Sequence, residues 1–460
     1  MPRFTRETAL PVPAAEAFAW HARPGAFERL TPPWEHIDVV AREGTIHDGD
    51  RLVMKVRKGP LRLTWEAQHQ GFVAGEQFVD EQVRGPFAAW VHTHRMRDEP
   101  GGGSVLTDSI DYRLPLGPLG RLAGGGATRR MLERMFTYRH RQTRDDLAAH
   151  AAAASLPLTV AVSGASGLVG SALAPFLTTG GHRVRRLVRG AEPGADEILW
   201  SVRDGCIDAA ALDGVDAVVH LAGAGIADAR WTDARKALIR ASRVDGTRLL
   251  ATTLAGLPRR PRVLVMASAV GWYGDTGDTE VDESALSGEG FLADVVRDWE
   301  AAAAPAEDAG IRVVKLRLGV VLTAAGGALP KMAGPLRFGL GSRVGSGRQW
   351  MAWIARDDVV AGIHRALVDD AMVGVWNLVA PTPVREAELA RTVARVLRRP
   401  ALVPVPAFAA RARFGEMADE ALLASARVVP ARLLAAGHTW RHPDLEGALR
   451  HELGRVREDK

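Results

Sequence analysis

The stretch Leu158-Thr-Val-Ala-Val-Ser-Gly-Ala-Ser-Gly-Leu-Val-Gly170 decides how the rest of the chain is read. From Leu158 to Val162 every residue is apolar or β-branched, and none is charged, as a parallel strand buried on both faces requires. Gly164, Gly167 and Gly170 then arrive at three-residue spacing, and the mostly apolar run over residues 168–177 predicts a helix. Strand, glycine turn and helix in that order predict a dinucleotide-binding opening. The first glycine permits a tight turn, the second lets backbone approach a pyrophosphate, and the third lets helix and strand pack closely. Phosphates would rest on the free N–H groups at the positive end of the helix, against Gly164, Ser166, Gly167, Leu168, Val169 and Gly170. Three glycines alone also mark ordinary turns; their position directly behind a buried strand is what favours a nucleotide.

Downstream, strands and helices alternate. Strands are predicted over residues 183–188, 217–221, 262–266 and 312–318, with helices over 233–255 and 291–309. The pattern predicts an α/β fold with a doubly wound parallel sheet, whose ligands lie at the carboxyl ends of the strands. At the end of the second strand an acidic residue would bond the adenosine ribose and favour NAD. This chain has Arg185, Arg186 and Arg189 there, with no carboxylate before Glu192. A guanidinium matches a 2′-phosphate bidentately, so NADP(H) is expected, with Arg189 as its contact and the other two arginines as edge or surface groups. Leu221, Ala222 and Gly223 place small residues where a pyrophosphate and ribose would cross the sheet.

The first 150 residues show no such alternation. A strand over residues 4–10 and a short helix over 13–21 precede six strand-like segments, at 37–41, 51–57, 61–69, 77–83, 88–96 and 104–112. Gly- and Pro-bearing turns separate them. A helix over 127–153 closes the block, with Met131, Leu132, Met135, Phe136 and Leu147 as its apolar stripe. Pro157 disfavours helix at Leu156 and sets a boundary there. Three regions follow: 1–154, 158–395 and a helical addition over 396–460.

Composition narrows the function. Of the 460 residues, 47% are hydrophobic and 25% charged, ordinary for a globular chain. The net charge of +5 comes from scattered arginines, whereas nucleic-acid binding would want a concentrated basic stripe with aromatics. Cys206 is the only cysteine, so no intrachain disulfide or thiolate cluster can form and a reducing compartment fits. No stretch approaches the roughly 18 apolar residues of a membrane span, and the N-terminus lacks an apolar signal core, so a cytoplasmic location is expected. No histidine pair has zinc-ligand spacing backed by a third ligand, so no metal is expected; His92 and His94 alternate on one strand face, at a surface or a cavity wall.

Strand, helix, antiparallel strands and a long last helix resemble the START-like (SRPBCC) helix-grip fold. That resemblance covers nearly all of residues 3–150 and implies an α+β domain with a cavity for an apolar ligand. Ser163-Gly-Ala-Ser-Gly-Leu-Val-Gly170, His220-Leu-Ala-Gly223 and Ser268-Ala-Val-Gly-Trp-Tyr-Gly274 resemble the extended short-chain dehydrogenase/reductase superfamily and its Rossmann sheet. Gly225-Ile-Ala-Asp-Ala-Arg-Trp231, Gly271-Trp-Tyr-Gly-Asp275, Trp299-Glu300 and Gly345-Ser-Gly-Arg-Gln-Trp-Met-Ala-Trp-Ile354 are similar to its atypical epimerase-like branch. The C-terminal part resembles a small domain of unknown function found in that branch.

The superfamily resemblance implies that Ser268 orients a substrate carbonyl or hydroxyl. The Tyr-x-x-x-Lys that would move the proton is missing: the helix reads Phe291-Leu-Ala-Asp-Val-Val-Arg-Asp-Trp-Glu300. Tyr273, Asp275 and Asp294 are the candidate replacements, and Tyr273 is expected to be catalytic beside Ser268. Lys331 and Arg348 are candidates for holding an anionic group, and Trp350 and Trp353 are expected in the core. The expectation is an NADP(H)-dependent reductase or epimerase acting on a small hydroxyl or carbonyl compound. The competing reading is a sensor or carrier that holds NADP(H) and an apolar ligand without turnover.

Overall fold

The computed structural model describes residues 1–153, 156–190, 192–336 and 339–456. They form two compact units, one of Met1–Leu156, Pro175–Gly181 and the chain from Gly454, the other of Pro157–Ala174 and His182–Leu453.

In the first unit the elements run β1 (Arg3–Leu10), α1 (Ala14–Ala22), α2 (Ala26–Leu30), β2 (Ile37–Glu43), β3 (Arg51–Lys58), β4 (Leu61–Val73), β5 (Gln77–Arg84), β6 (Ala89–Asp98), β7 (Ser104–Arg113) and α3 (Gly117–Ala153). The seven strands make one antiparallel sheet in the order β1-β7-β6-β5-β4-β3-β2. Hairpin succession fixes most of that order, and β1 closes it by pairing with β7, Arg3 opposite Asp111. Inner-face alternation is clearest on β6, where Trp90, His92, His94 and Met96 are buried in turn. From α3, Leu132, Phe136 and Leu147 enter the core, while Met131 and Met135 are half-buried. A buried ion pair ties α2 to α3: Arg29 Nε and Nη2 donate to Asp146 at 2.7 and 2.8 Å.

Helix α3 begins ten residues before its predicted start at 127, so the Gly-rich lead over 117–126 is helix. Glycine costs about 1 kcal/mol per helical position, yet extending an existing helix fixes only one residue per added hydrogen bond. The packed C-terminal turns carry the exposed N-terminal ones, and Leu116 at φ 65° is where the chain turns in.

The second unit opens with β8 (Thr159–Ser163) and the first half of α4 (Gly170–Thr179), whose residues from Pro175 count with the first unit, followed by β9 (Arg183–Val188), β10 (Glu197–Ser201), β11 (Cys206–Ile207), α5 (Ala209–Leu212), β12 (Ala217–His220), α6 (Asp233–Ala255) and β13 (Val263–Ala269). It continues with β14 (Glu280–Val281), α7 (Phe291–Ala301), α8 (Ala304–Asp308) and β15 (Arg312–Leu318). The main sheet runs β11-β10-β9-β8-β12-β13-β15 and ends on the strand Gly374–Leu378. All pairings are parallel except the β10–β11 edge. Chain direction across the sheet reverses between β8 and β12, which is the crevice where such sheets bind ligands. The core is Val- and Leu-rich on both faces, with Val160, Val218, Leu264 and Val314 all at 1% exposure or less.

Three differences from the sequence expectation matter. The predicted helix over 291–309 is two helices, because Pro305 sits in the first turn of α8 and cannot continue α7. Strand β13 runs to Ala269, so Ser268 lies inside the strand. Strands β10, β11 and Gly374–Leu378 were not anticipated, being short and interrupted by polar residues such as Asn377. Past β15, a second apolar cluster built on Leu322, Leu329, Trp353, Leu389 and Leu449 forms the lobe carrying the C-terminal helices.

Candidate functional site

The crevice at the β8–β12 boundary is made by backbone approach. Gly164 has φ 68°, and a Cβ there would sit 2.8 Å from the carbonyl carbon of Leu221 and 2.9 Å from the nitrogen of Ala222. A Cβ on Gly170 would sit 2.2 Å from the carbonyl oxygen of Gly164. Tight turn and close helix packing are therefore both demanded by the geometry. Ser163 Oγ accepts from the N–H of Leu221 (3.1 Å) and of Ala222 (3.3 Å), locking the two strand ends together. It also lies 2.7 Å from His220 Nδ1, and burial lowers the His220 pKa to about 4. Ser166 and Gly167 are exposed at the mouth, Leu168 and Val169 half-buried. Gly223 faces a group that sequence reasoning missed: Arg243 on α6, whose guanidinium carbon would be 3.3 Å from a Cβ on Gly223. Arg243 Nη1 donates to the carbonyls of Ala224 (2.9 Å) and Ile239 (3.1 Å), and burial, with Arg235 nearby, lowers its pKa to about 10.

Arg185 and Arg186 lie within β9 and Arg189 just after it, and the three are sorted by their partners. Arg185 donates to the carbonyl of Ala211, and Arg186 pairs with Glu197 at 3.0 Å. Arg189 is exposed, and no hydrogen bond or ion pair engages it among the described residues.

Ser268 and Tyr273 belong to one buried network. Ser268 Oγ donates to Glu300 Oε1 at 2.5 Å. Glu300 takes a bidentate pair from Arg317, Nε to Oε1 and Nη2 to Oε2, both at 2.9 Å. Arg317 Nη1 donates to Tyr273 Oη at 3.0 Å, and that hydroxyl donates to Asn377 Oδ1 at 2.8 Å. Ser268, Arg317 and Asn377 are opposite one another in register on β13, β15 and Gly374–Leu378, so one face of the sheet carries all three. Ser268 is 2% exposed and Tyr273 3%. Burial raises the Tyr273 phenol above its usual value, against the pull of Arg317, and Tyr273 is packed with Ala352, Val379 and Val428. Glu300 lies on the helix that would have carried the Tyr and Lys; its signal was the Trp299-Glu300 pair, but Arg317 and Asn377 had none.

The remaining candidates scatter. Asp275 is exposed and accepts from the N–H of Gly277, and Asp294 is exposed and paired with Arg297. Lys331 donates to the carbonyl of Ala227 at 2.9 Å, and Arg348 is exposed. Trp353 is core, as expected. Trp350 is not: it is half-buried between the guanidinium groups of Arg385 and Arg427, 4.0 and 4.9 Å from its ring. Planar cations stack there because the indole face is electron-rich.

The family described as "NAD dependent epimerase/dehydratase family" matches residues 160–378. Epimerase family protein Mb2239 of Mycobacterium bovis is 43% identical over 290 residues, 63% of this chain and 96% of that protein. The chain belongs to the epimerase family. Human epimerase family protein SDR39U1 is 36% identical over 296 residues, 64% of this chain and 99% of the human one. A crystal structure of human SDR39U1 (isoform 2) with NADPH aligns with TM-score 0.60 and 34% identity, over 65% of this chain and 100% of that one. A nucleoside-diphosphate sugar epimerase from Corynebacterium glutamicum aligns over 98% of this chain and 90% of its own, with TM-score 0.81 and 36% identity. Flanking the epimerase region, "Polyketide cyclase / dehydrase and lipid transport" matches residues 10–136 and "Domain of unknown function (DUF1731)" residues 405–452. The helix-grip, epimerase-branch and C-terminal resemblances are thus all borne out. Among the described residues no helix is long and apolar enough to cross a membrane.

Proposed function

We propose that the epimerase-family unit binds NADP(H) and acts on a small hydroxyl or carbonyl compound by oxidoreduction or epimerisation, beside an N-terminal unit that holds an apolar ligand. The observation that carries the reading is a glycine cradle at the β8–β12 switch point with one uncommitted arginine, Arg189, after the next strand. The NADPH in the human relative's structure supports it.

The cradle fits a dinucleotide, because Gly164 and Gly170 leave no room for side chains where the pyrophosphate would need backbone N–H groups. Arg189 would take a 2′-phosphate as a bidentate pair, and Ser166 to Gly170 would face the pyrophosphate at the start of α4. Leu221, Ala222 and Gly223 would line the far wall, with Arg243 adding positive charge behind Gly223. When bound, the nicotinamide supplies or accepts a hydride. Ser268 would orient the substrate oxygen, and Glu300 is its positioning residue, fixed in turn by Arg317.

One observation favours the non-catalytic reading: Ser268 and Tyr273 both spend their hydroxyl hydrogens inside the network, on Glu300 and Asn377. A holder of NADP(H) without turnover would keep the cradle and close the chemistry in this way.

Titration calorimetry on the intact protein tests the cofactor. NADPH binds tighter than NADH by about tenfold or more, a gap of about 1.4 kcal/mol. Arg189→Ala erases most of that preference and leaves NADH affinity nearly unchanged. Equal affinities in the unmodified protein sink the proposal.

A further inference from the structure

The first unit holds an open-mouthed cavity of about 220 Å³, with Trp65, Trp90, Met131 and Met135 on its apolar wall. Its polar wall is built by strand register. His69 on β4 stands opposite Asp80 on β5, Asp80 opposite His92 on β6, and His94 opposite Asp108 on β7. The side chains therefore project from one sheet face into one place.

We propose that Asp80, His92 and His94 bind a divalent first-row transition-metal ion of the zinc class, with a coordination position open to the cavity. Ligand atoms about 2.0–2.1 Å from a tetrahedral zinc ion stand about 3.3–3.4 Å from one another. Asp80 Oδ2 lies 3.1 Å from His94 Nε2, a hydrogen bond that a bound metal ion would replace, and 3.6 Å from His92 Nδ1, and the three residues offer atoms all within 4.8 Å of one another. Two imidazoles and one carboxylate suit zinc, cobalt and iron(II), and exclude the all-oxygen shells of calcium and magnesium.

The atoms facing away from that point are already held. His92 Nε2 and His94 Nδ1 lie 3.0 and 2.6 Å from Asp108 Oδ1, and Asp108 Oδ2 lies 2.8 Å from His140 Nε2 on α3. His140 Nδ1 is 2.8 Å from Thr8 Oγ1. The second oxygen of Asp80 is 2.7 Å from His69 Nε2. Metal-binding imidazoles characteristically donate their other nitrogen to a carboxylate, which fixes tautomer and ring orientation. Here one aspartate stands at that place for both rings, hydrogen-bonded to His92 and in ion-pair contact with His94.

Asp80, His92 and His94 all line the cavity. A three-ligand protein set with a space beside it leaves room for water or an exogenous donor, the arrangement of open rather than closed sites. The occupant this predicts is an apolar molecule carrying a carbonyl or carboxylate oxygen. A second group, Asp357, His442 and His451, is fully buried in the other unit, so it serves as the internal control.

The test is Co²⁺ and Zn²⁺ titration of the intact chain, stripped with chelator and freed of any affinity tag. One equivalent of Co²⁺ gives a visible d–d absorption that Zn²⁺ discharges. Asp80→Asn and His94→Ala remove the stoichiometric site, and Asp108→Asn, which only positions the rings, weakens it about 10–100-fold. Circular dichroism melts identify any variant that fails to fold; Asp80→Asn, which keeps side-chain volume at a half-buried position, then decides. Failure of the unmodified chain to bind either ion, or binding that survives Asp80→Asn and disappears in Asp357→Asn, overturns the proposal.

Discussion

Each unit carries a row of polar side chains laid across neighbouring strands, and the two rows differ in what lies beside them. In the epimerase-family unit, Ser268, Arg317 and Asn377 share a sheet face and are closed by Glu300 and Tyr273, each hydrogen-bonded to another member. In the helix-grip unit, His69, Asp80, His92, His94 and Asp108 share a face in the same way, but Asp80, His92 and His94 turn atoms toward one point on a cavity. Strand register gathers polar groups equally well in both. Whether the group becomes a brace or a binding site depends on what fills the space beside it: α7 and its Glu300 in one, a cavity in the other.

Histidines sharpen the contrast. His220 is buried with no carboxylate partner, and burial lowers its pKa to about 4. Burial also pulls His94 down, but Asp108 and Asp80 outweigh it and hold that pKa up at about 9. Burial drives the proton off the residue in one unit; in the other the two carboxylates favour it, and a metal ion at His94 Nε2 would have to displace it.

Arg317→Met has the largest expected effect. It leaves Glu300 buried without its bidentate partner, which costs about 3–5 kcal/mol, read as a lower denaturant midpoint. A loss under about 1 kcal/mol would mean the row is not a brace and the contrast fails.

Acid unfolding comes next. The His220 pKa in the folded chain lies below its unfolded value, so the unfolded chain takes up the proton first as pH falls. Its contribution is complete above about pH 6.5 and is lost toward pH 4, at about 1.4 kcal/mol per pH unit and about 3 kcal/mol in all. His220→Asn flattens that slope in stability measured across pH 4–7; an unchanged slope would show that His220 is protonated within the fold.

Ser268→Ala is the smallest and tells the two functional readings apart. It leaves NADPH affinity nearly unchanged and lowers turnover of a ketone, quinone or nucleotide-sugar panel by about tenfold or more. Unchanged turnover removes the serine from the mechanism, and no turnover by either protein favours the holder.

Much of this was readable along the chain. Alternation and turn residues located all seven strands of the first unit, because pairing between sequence neighbours leaves its pattern in local order. The glycine cradle was readable for the same reason, since a positive φ at Gly164 and a close approach at Gly170 admit no other residue. Pro305, which cannot continue a helix, is the local signal of the α7–α8 break. Helix α3 exceeded its expected length because extending a helix tolerates glycines that argue against starting one.

What the sequence by itself determined are the features stored in neighbouring residues: the order of the main elements, the cradle, the arginines in and after β9, and the absence of the Tyr and Lys from the α7 segment. Only the tertiary structure decided which of those arginines is spoken for. It alone joined Ser268 to Glu300, Arg317 and Asn377, which are up to 109 residues away in the chain. It alone brought Asp80 to His92 and His94, where no ligand spacing in the sequence could announce them. Register between strands is set by the whole sheet and its core, and partners across a ladder carry no fixed separation in sequence.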